Sequence, residues 1–504
     1  MGRDMINSMV SALPTLPALL QHIGHPPLRN RLSLLQVAMV FIAGGAHAIS
    51  MAWPFPFGFT QGQPLWWLQL LALVLLAGPG WSVPAIASAA QDGSVRPVPL
   101  VPNPSILTGA IRKNASGPVG DFYAGRGFRP LWVRDGIVSS EAQALLGILD
   151  SARLDGLKPS RYSPDKLRKM MARADTGDVA ALAKAEIGLS KAFAKYVGDL
   201  RRTDKSGLEY ADPALIPKKP DPELVLRVAA LAPSFADYIR SMGWMSAHYV
   251  RIRGYIGIAQ QQGSDDHVLR ALRLNLERAR FLPSPAVRHI VVDIASARLW
   301  YYQGGQEAGS MRVVVGALKT PSPMLAGSLN YAILNPYWNV PDYLIRDNIA
   351  RKVLTGRTLK SMHMEILSDW TPDARKVDPS TVNWQAVAAG QMELRMRELP
   401  GPANSMGKVK FVFPNTHGIY LHDTPNTDLF VKDDRHLSNG CIRLEKAAEL
   451  GKWMLGQPVV NTRNKAPEQA IAFRVPVPVY LTYLTATTND QGVGFLPDVY
   501  GMDK

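Results

Sequence analysis

Cys441 is the only cysteine in 504 residues, and it follows the turn-forming tripeptide Ser438, Asn439, Gly440. His422 stands upstream, at the end of a strand-like run from Gly418. A lone thiol cannot form an intramolecular disulfide. A thiol beside glycine with a histidine on a nearby element is a candidate nucleophile–base pair. The attacking species is the thiolate, and a free cysteine is mostly protonated at neutral pH. A neighbouring imidazole can take that proton and later return it to a leaving amine. Gly440 lets the backbone approach closely, so the amides of Gly440 and Cys441 are candidate donors to a developing oxyanion. Arg443, two residues on, adds positive potential that favours a thiolate or holds an anionic substrate group.

Bland readings stand beside this one. A single cysteine can be an inert, buried small hydrophobe. His417, His422 and His436 near one cysteine could suggest zinc, but no spacing here matches a zinc pattern, and no metal or cofactor is expected. Tyr420 and His422 share one side of a strand, which places the phenol near a substrate or in the core. Arg443 can bind a substrate carboxylate or make a structural ion pair.

Two segments carry a resemblance. Tyr420 to Pro425, followed by Ser438, Asn439, Gly440, Cys441, Ile442 and Arg443, resembles the active-site signature of the L,D-transpeptidases with a YkuD-type catalytic domain: a histidine, a variable loop, then S-x-G-C-[IV]-R. Residues 335–341, 400–404 and 407–411 resemble the long form of that family. Phe122-Tyr123, Trp132, residues 155–157 and 196–201 resemble its scaffold region. Asn439 stands where many relatives carry histidine or a small residue, so no role is read into its side chain. The resemblance implies acyl transfer through a thioester on peptidoglycan stem peptides, with Cys441 as nucleophile and His422 as base. It further implies inhibition by carbapenem-type β-lactams. Ser438, Trp338, Tyr420, Arg443 and Asp423 then border the substrate, the Asp423 carbonyl orienting His422. A cysteine peptidase passing the acyl group to water, and a non-catalytic wall-binding scaffold, are the alternatives.

The elements that must position these residues follow from pattern. With 47% hydrophobic and 19% charged residues the chain can bury a core. A net charge of +15 suits an anionic polymer or surface; no nucleic-acid motif accompanies it. Residues 32–91 contain no Asp, Glu, Lys or Arg, and hold two apolar runs, 32–46 and 65–76, with Ala-x-Ala sites at 85–89. This reads as an export segment over 1–90, cleaved or retained as an inner-membrane anchor, or as a start assigned too early with Met51 the true one. The expected location is the periplasm or cell envelope. A linker follows over 91–116. Helical periodicity over 141–154, 179–200, 224–242 and 268–280 predicts a helical scaffold domain at 117–283. From His289 the period changes to two, predicting a mainly β, sandwich-like catalytic domain at 284–502 and an α+β fold overall. Pro476 and Pro478 suggest that the last strand lies at an edge. Residues 342–400 read as a polar, helical insertion capping the site.

Overall fold

The computed structural model describes residues 104–201, 206–459, 466–490 and 492–503. The expected export segment lies outside the described residues. Among the described residues, no helix is long and apolar enough to cross a membrane.

Among the described residues, nine α-helices lie before His289: α1 (Pro104–Asn114), α2 (Gly117–Gly125), α3 (Ser140–Asp150), α4 (Pro164–Ala174), α5 (Val179–Leu200), α6 (Pro222–Ala230), α7 (Phe235–Arg240), α8 (Ala247–Gln261) and α9 (Asp266–Arg280). The longest, α5, matches its expected span. Asp178 caps it by accepting the Ala181 amide at 2.6 Å, and its alanines cost little side-chain entropy. Three expectations change. Residues 104–114, read as linker, form α1, which buries Leu107 and Ile111 in the helical core. The expected helix over 224–242 is two helices, because Pro233 cannot continue the first and Ser234 caps the second. Helix α8 was not anticipated: its glycines and arginines blur the apolar stripe of Tyr249, Ile252 and Ile256.

The turn at Asp155 and Gly156 does more than end a helix. Gly156 is left-handed at φ +72°. The buried Asp155 carboxylate accepts from Tyr196, Tyr249 and Arg253, each at 2.8 Å, and its carbonyl accepts from Arg280 at 2.9 Å. The carboxylate thereby joins α5 and α8, and the carbonyl of the same residue adds α9.

The β region is a ten-stranded sheet: β1 (Glu209–Tyr210), β2 (His289–Asp293), β3 (Arg298–Gln303), β4 (Gln306–Gly316), β5 (Leu325–Leu334), β6 (Val409–Val412), β7 (Leu421–His422), β8 (His436–Ser438), β9 (Ile442–Leu444) and β10 (Gln469–Thr482). The order is β6-β7-β9-β4-β3-β2-β10-β5-β1, and β6 also pairs with β5, so the sheet closes around one apolar core. The fold is α+β, with a mainly β catalytic region after a helical one. Strand β10 is an inner strand, not an edge: it pairs with β2 and β5. Pro476 falls in the irregular stretch between Ala472 and Val477, where no ladder bond is lost, and Pro478 precedes the first β2 pairing at Val479. Strand β1 comes from the helical region and extends the catalytic sheet beside β5.

The insertion carries the expected helices, at Asp342–Leu344, Ala350–Leu354 and Trp384–Ala388, but also three short strands that form a second sheet with the strand just before it, in the order Lys376–Val377, Met364–Leu367, Arg395–Glu398, Trp338–Asn339. Strands of two to four residues are too short to display period two. The insertion has its own core, including Ile345, Ile366, Trp384 and Met396.

Replacing Asp155 by alanine should strand a guanidinium and two hydroxyls inside the helical core, costing about 3–5 kcal/mol, with Asp155→Asn costing less. Denaturant unfolding measures this; a loss under about 1 kcal/mol for Asp155→Ala would show that the carboxylate does not join the helices.

Candidate active site

Cys441 sits between β8 and β9, and the local bonds explain why that loop needs its particular residues. Gly440 has φ +106°, and a Cβ there would press on Ile419 Cδ1 at 3.3 Å. Ser438 Oγ staples the turn. It donates to the Cys441 carbonyl at 2.6 Å and accepts the Gly440 amide at 3.1 Å. The Gly440 carbonyl is taken by Ser322 Oγ at 2.6 Å. Gly440 was expected to offer its amide to an oxyanion; that amide is instead committed to Ser438, so the glycine shapes the turn.

Strands β7 and β9 run parallel, with His422 opposite Arg443. This pairing, and the bond from the Ile442 amide to the Tyr420 carbonyl at 2.9 Å, set the histidine strand beside the cysteine loop. His422 is buried, and its Nδ1 lies 2.6 Å from the Asp423 carbonyl. A carbonyl only accepts, so Nδ1 carries the proton and Nε2 is the basic nitrogen. Burial depresses the imidazole pKa to about 4. The Asp423 bond opposes that shift, and the charges of Arg443 and Lys410 reinforce it.

Cys441 is half-buried, and its thiol donates to the Gly418 carbonyl at 3.6 Å. Desolvation raises its pKa above the ordinary thiol value; a bond from the Tyr420 amide and the charge of Arg443 pull it part of the way back. With the imidazole hard to protonate and the thiol hard to ionise, the pair rests neutral.

A cavity of about 350 Å³ opens over these groups. Its lining includes Cys441, His422, Arg443, Tyr420, Ser438 and Trp338, six of the eight residues singled out from sequence. Gly440 lies behind the turn. The Asp423 carboxylate faces away and accepts the Lys408 amide at 2.8 Å, so only its carbonyl serves the site. The buried Arg443 Nε has no hydrogen-bond partner, and among the described residues no carboxylate pairs with Arg443. Burial lowers its pKa and the nearby Cys441 raises it.

Several lining residues escaped sequence reasoning. Tyr343 and Leu344, at the start of the insertion, face the cavity, and the proximity of Cys441 raises the Tyr343 pKa in addition to burial. Asn415 fixes the loop before the histidine through bonds to the Phe413 and Ile419 carbonyls and from the His417 and Ile419 amides. His417, also in the lining, bonds Glu209 of β1 at 2.7 Å. His436 is structural: its ring nitrogens meet Asp434 at 2.7 Å and the Ile294 carbonyl at 3.1 Å. Among the described residues, no three His, Cys, Asp or Glu side chains gather in a way that could hold a metal.

A thiol, an imidazole of fixed tautomer and a half-buried guanidinium with no carboxylate partner line one cavity, a set of groups that would suit acyl transfer on a substrate bearing an anion. Comparison with known families agrees in class. Residues 287–464 match the L,D-transpeptidase catalytic domain, YkuD. The chain carries an L,D-transpeptidase catalytic domain. Residues 117–255 match the scaffold domain. A Haemophilus influenzae protein provisionally named an L,D-transpeptidase is 28% identical over 274 residues, covering 53% of this chain and 55% of that protein. The chain thus spans about half the length of this curated relative. Among solved structures, the catalytic domain from the E. faecium L,D-transpeptidase is 17% identical, covering 39% of this chain and 96% of that one with a TM-score of 0.17. An L,D-transpeptidase from Mycobacterium smegmatis is 13% identical, covering 39% and 58%, with a TM-score of 0.19. The assignment stands on the two domain matches.

A neutral resting pair fixes the pH dependence of thiol chemistry. A raised thiol pKa means that ionisation occurs above the ordinary thiol range. Iodoacetamide labelling of Cys441 should therefore climb with pH through and beyond about 9, without a plateau near neutrality. Intact-protein mass spectrometry follows the single site, and a plateau near pH 7 would instead indicate a preformed ion pair.

Proposed function

We propose that this catalytic domain cross-links peptidoglycan by acyl transfer through a thioester on Cys441. The observation that carries the reading is the joint placement of Cys441, His422 and Arg443 on one cavity, with His422 Nδ1 tied to the Asp423 carbonyl. The thiol passes its proton to His422 Nε2 as sulfur attacks the carbonyl carbon of an L-to-D amide in a stem peptide. The C–N bond then breaks, and His422 returns the proton to the departing D-amino acid amine. A second peptide's amine attacks the thioester, forming the new amide and restoring the thiol.

The electrostatics suit a concerted transfer. An imidazole with a pKa of about 4 holds little charge at neutral pH, so proton transfer proceeds as the S–C bond forms and not beforehand. Because the Gly440 N–H is engaged by Ser438 and the Tyr420 amide by the sulfur, the Cys441 amide is the candidate oxyanion donor. Arg443 would hold a stem-peptide carboxylate, and Trp338 and Tyr420 would flank the chain of the substrate. Residues 1–90 would export the enzyme to the periplasm, cleaved or held at the inner membrane.

Replacing Cys441 by alanine should abolish cross-link formation from disaccharide-tetrapeptides while the melting temperature stays near that of wild type, since one small half-buried side chain is lost. A carbapenem should add one mass increment to the wild type and none to the alanine variant; one solved L,D-transpeptidase is in complex with imipenem. Turnover by Cys441→Ala at the wild-type rate would end the mechanism.

The insertion reads as a lid, because Tyr343 and Leu344 enter the cavity from its first turn. A lid that excludes water favours amine over water as the acceptor. Exchanging residues 342–398 for a short linker should raise the ratio of hydrolysis to cross-linking while Cys441 still acylates. An unchanged ratio in a folded protein would make the insertion a surface decoration.

A further inference from the structure

The helical region holds a second cavity of about 380 Å³ that shares no residue with the catalytic one. It lies between α4 and α5, with the end of α1 at its rim. Lys184, Lys191 and Lys195 come from α5, spaced seven and four residues apart, which puts them on one face of the helix. Lys166 faces them from the first turn of α4, and Arg161 completes the ring. The floor is apolar, built from Leu167, Met170 and Ile187. Gly188 keeps the two helices close there, since a Cβ on it would meet Met170 Cε at 2.8 Å.

The charges of this cleft are poorly compensated. Asp199 is committed to Arg161 at 3.0 Å and also takes the Tyr162 hydroxyl at 3.1 Å. Lys195 donates to the Arg161 carbonyl at 2.8 Å, a neutral acceptor. Among the described residues, Lys166, Lys184 and Lys191 have no ion-pair partner. Like charges gathered around a concave surface repel one another and raise the local concentration of anions. The eleven-residue α4 starts at this cleft, with no side-chain cap bond from Ser163, and the one carboxylate of its first turn, Asp165, is paired with Arg168.

The donor chemistry narrows the ligand. The planar fork of Arg161, suited to a carboxylate, is occupied by Asp199. What remains is a set of ammonium groups on flexible stems, which can surround a tetrahedral anion from several directions. Beside them lies an apolar floor that an inorganic ion would leave uncovered. We propose that this cleft binds a phosphate ester bearing an apolar substituent, either the headgroup of a bilayer phospholipid or a soluble phosphorylated amphiphile. The inference is independent of the transfer reaction and of its substrate.

The test uses the full chain and two probes. Monomeric short-chain phosphatidylglycerol is titrated calorimetrically, and vesicles of phosphatidylglycerol in phosphatidylcholine are compared with pure phosphatidylcholine by flotation. The variant Lys184→Glu/Lys191→Glu changes two exposed helical positions, and its melting curve should match wild type. Lys432→Glu/Lys452→Glu, at two exposed positions outside the cleft, is the charge-matched control. Lys184→Glu/Lys191→Glu should weaken binding by at least about tenfold, while Lys432→Glu/Lys452→Glu changes little. Loss seen with the monomeric lipid assigns a soluble source; loss seen with vesicles alone assigns the bilayer. Flotation is scored as the difference between phosphatidylglycerol-containing and pure phosphatidylcholine vesicles, which removes any attachment through residues 1–90 that is indifferent to headgroup. Equal binding by wild type and Lys184→Glu/Lys191→Glu to both probes would overturn the proposal. So would equally strong, lysine-dependent binding of poly-glutamate, which would make the cleft a general polyanion surface.

Discussion

The catalytic cavity depends on one hydroxyl. Ser438 Oγ gives its proton to the Cys441 carbonyl and receives the Gly440 amide, so a single side chain closes the turn on both sides. The turn is then locked from below. Ser322 Oγ takes the Gly440 carbonyl as its acceptor, and the Tyr500 hydroxyl accepts the Ser322 amide at 3.2 Å while donating to the Gly316 carbonyl at 2.5 Å. There is no slack in this arrangement: a Cβ on Gly316 would lie 2.3 Å from the Thr320 carbonyl oxygen. Cys441 is thus carried on a loop whose polar backbone groups are satisfied by Ser438 and Ser322, with Tyr500 holding Ser322 in place. That is how a loop attains the positional precision that acyl transfer requires.

Desolvation sets the character of the chemistry. The same burial lowers the His422 pKa and raises that of Cys441, and the positive charge of Arg443 acts on both, against the imidazolium and toward the thiolate. Arg443 therefore cannot create a resting ion pair; it favours negative charge on sulfur without letting the histidine store the proton. An anionic substrate group at Arg443 would cancel that charge and make the imidazole a better base. Substrate binding and base strength are in this way coupled through one guanidinium.

What was legible in the sequence divides along physical lines. The cysteine turn, the histidine strand and Arg443 fall within 22 residues of one another, counting from His422 to Arg443, and their types follow from local chemistry. Helix α5 was legible because cap, composition and periodicity agree. What could not be read depends on distance. Ser322, Asn415 and Tyr500 are ordinary polar residues until the sheet closes and brings them under the turn. The oxyanion role expected of Gly440 failed because glycine's freedom says that an amide can turn, not where it turns; a serine two residues earlier claimed it. The insertion's strands are hidden by brevity, and Tyr343 because nothing local marks which face of its helical turn meets the cavity.

The helical region is tied to the catalytic centre by more than a shared core. Strand β1 belongs to the chain that follows α5, yet it lies parallel to β5, with Glu209 opposite Leu325. From that position Glu209 reaches His417 at 2.7 Å. His417 adjoins Gly418, whose carbonyl receives the Cys441 thiol, and Asn415 holds the same loop from the other side. A continuous path of covalent and hydrogen bonds therefore runs from the end of α5 to sulfur. The buried contacts of Val291, Tyr302, Ala326 and Tyr480 with the helical core back this path along the outer face of the sheet. Shifting β1 would move the acceptor that orients the thiol. The helical region is thus part of the frame that holds Cys441, a role that neither the cysteine signature nor the sheet alone supplies.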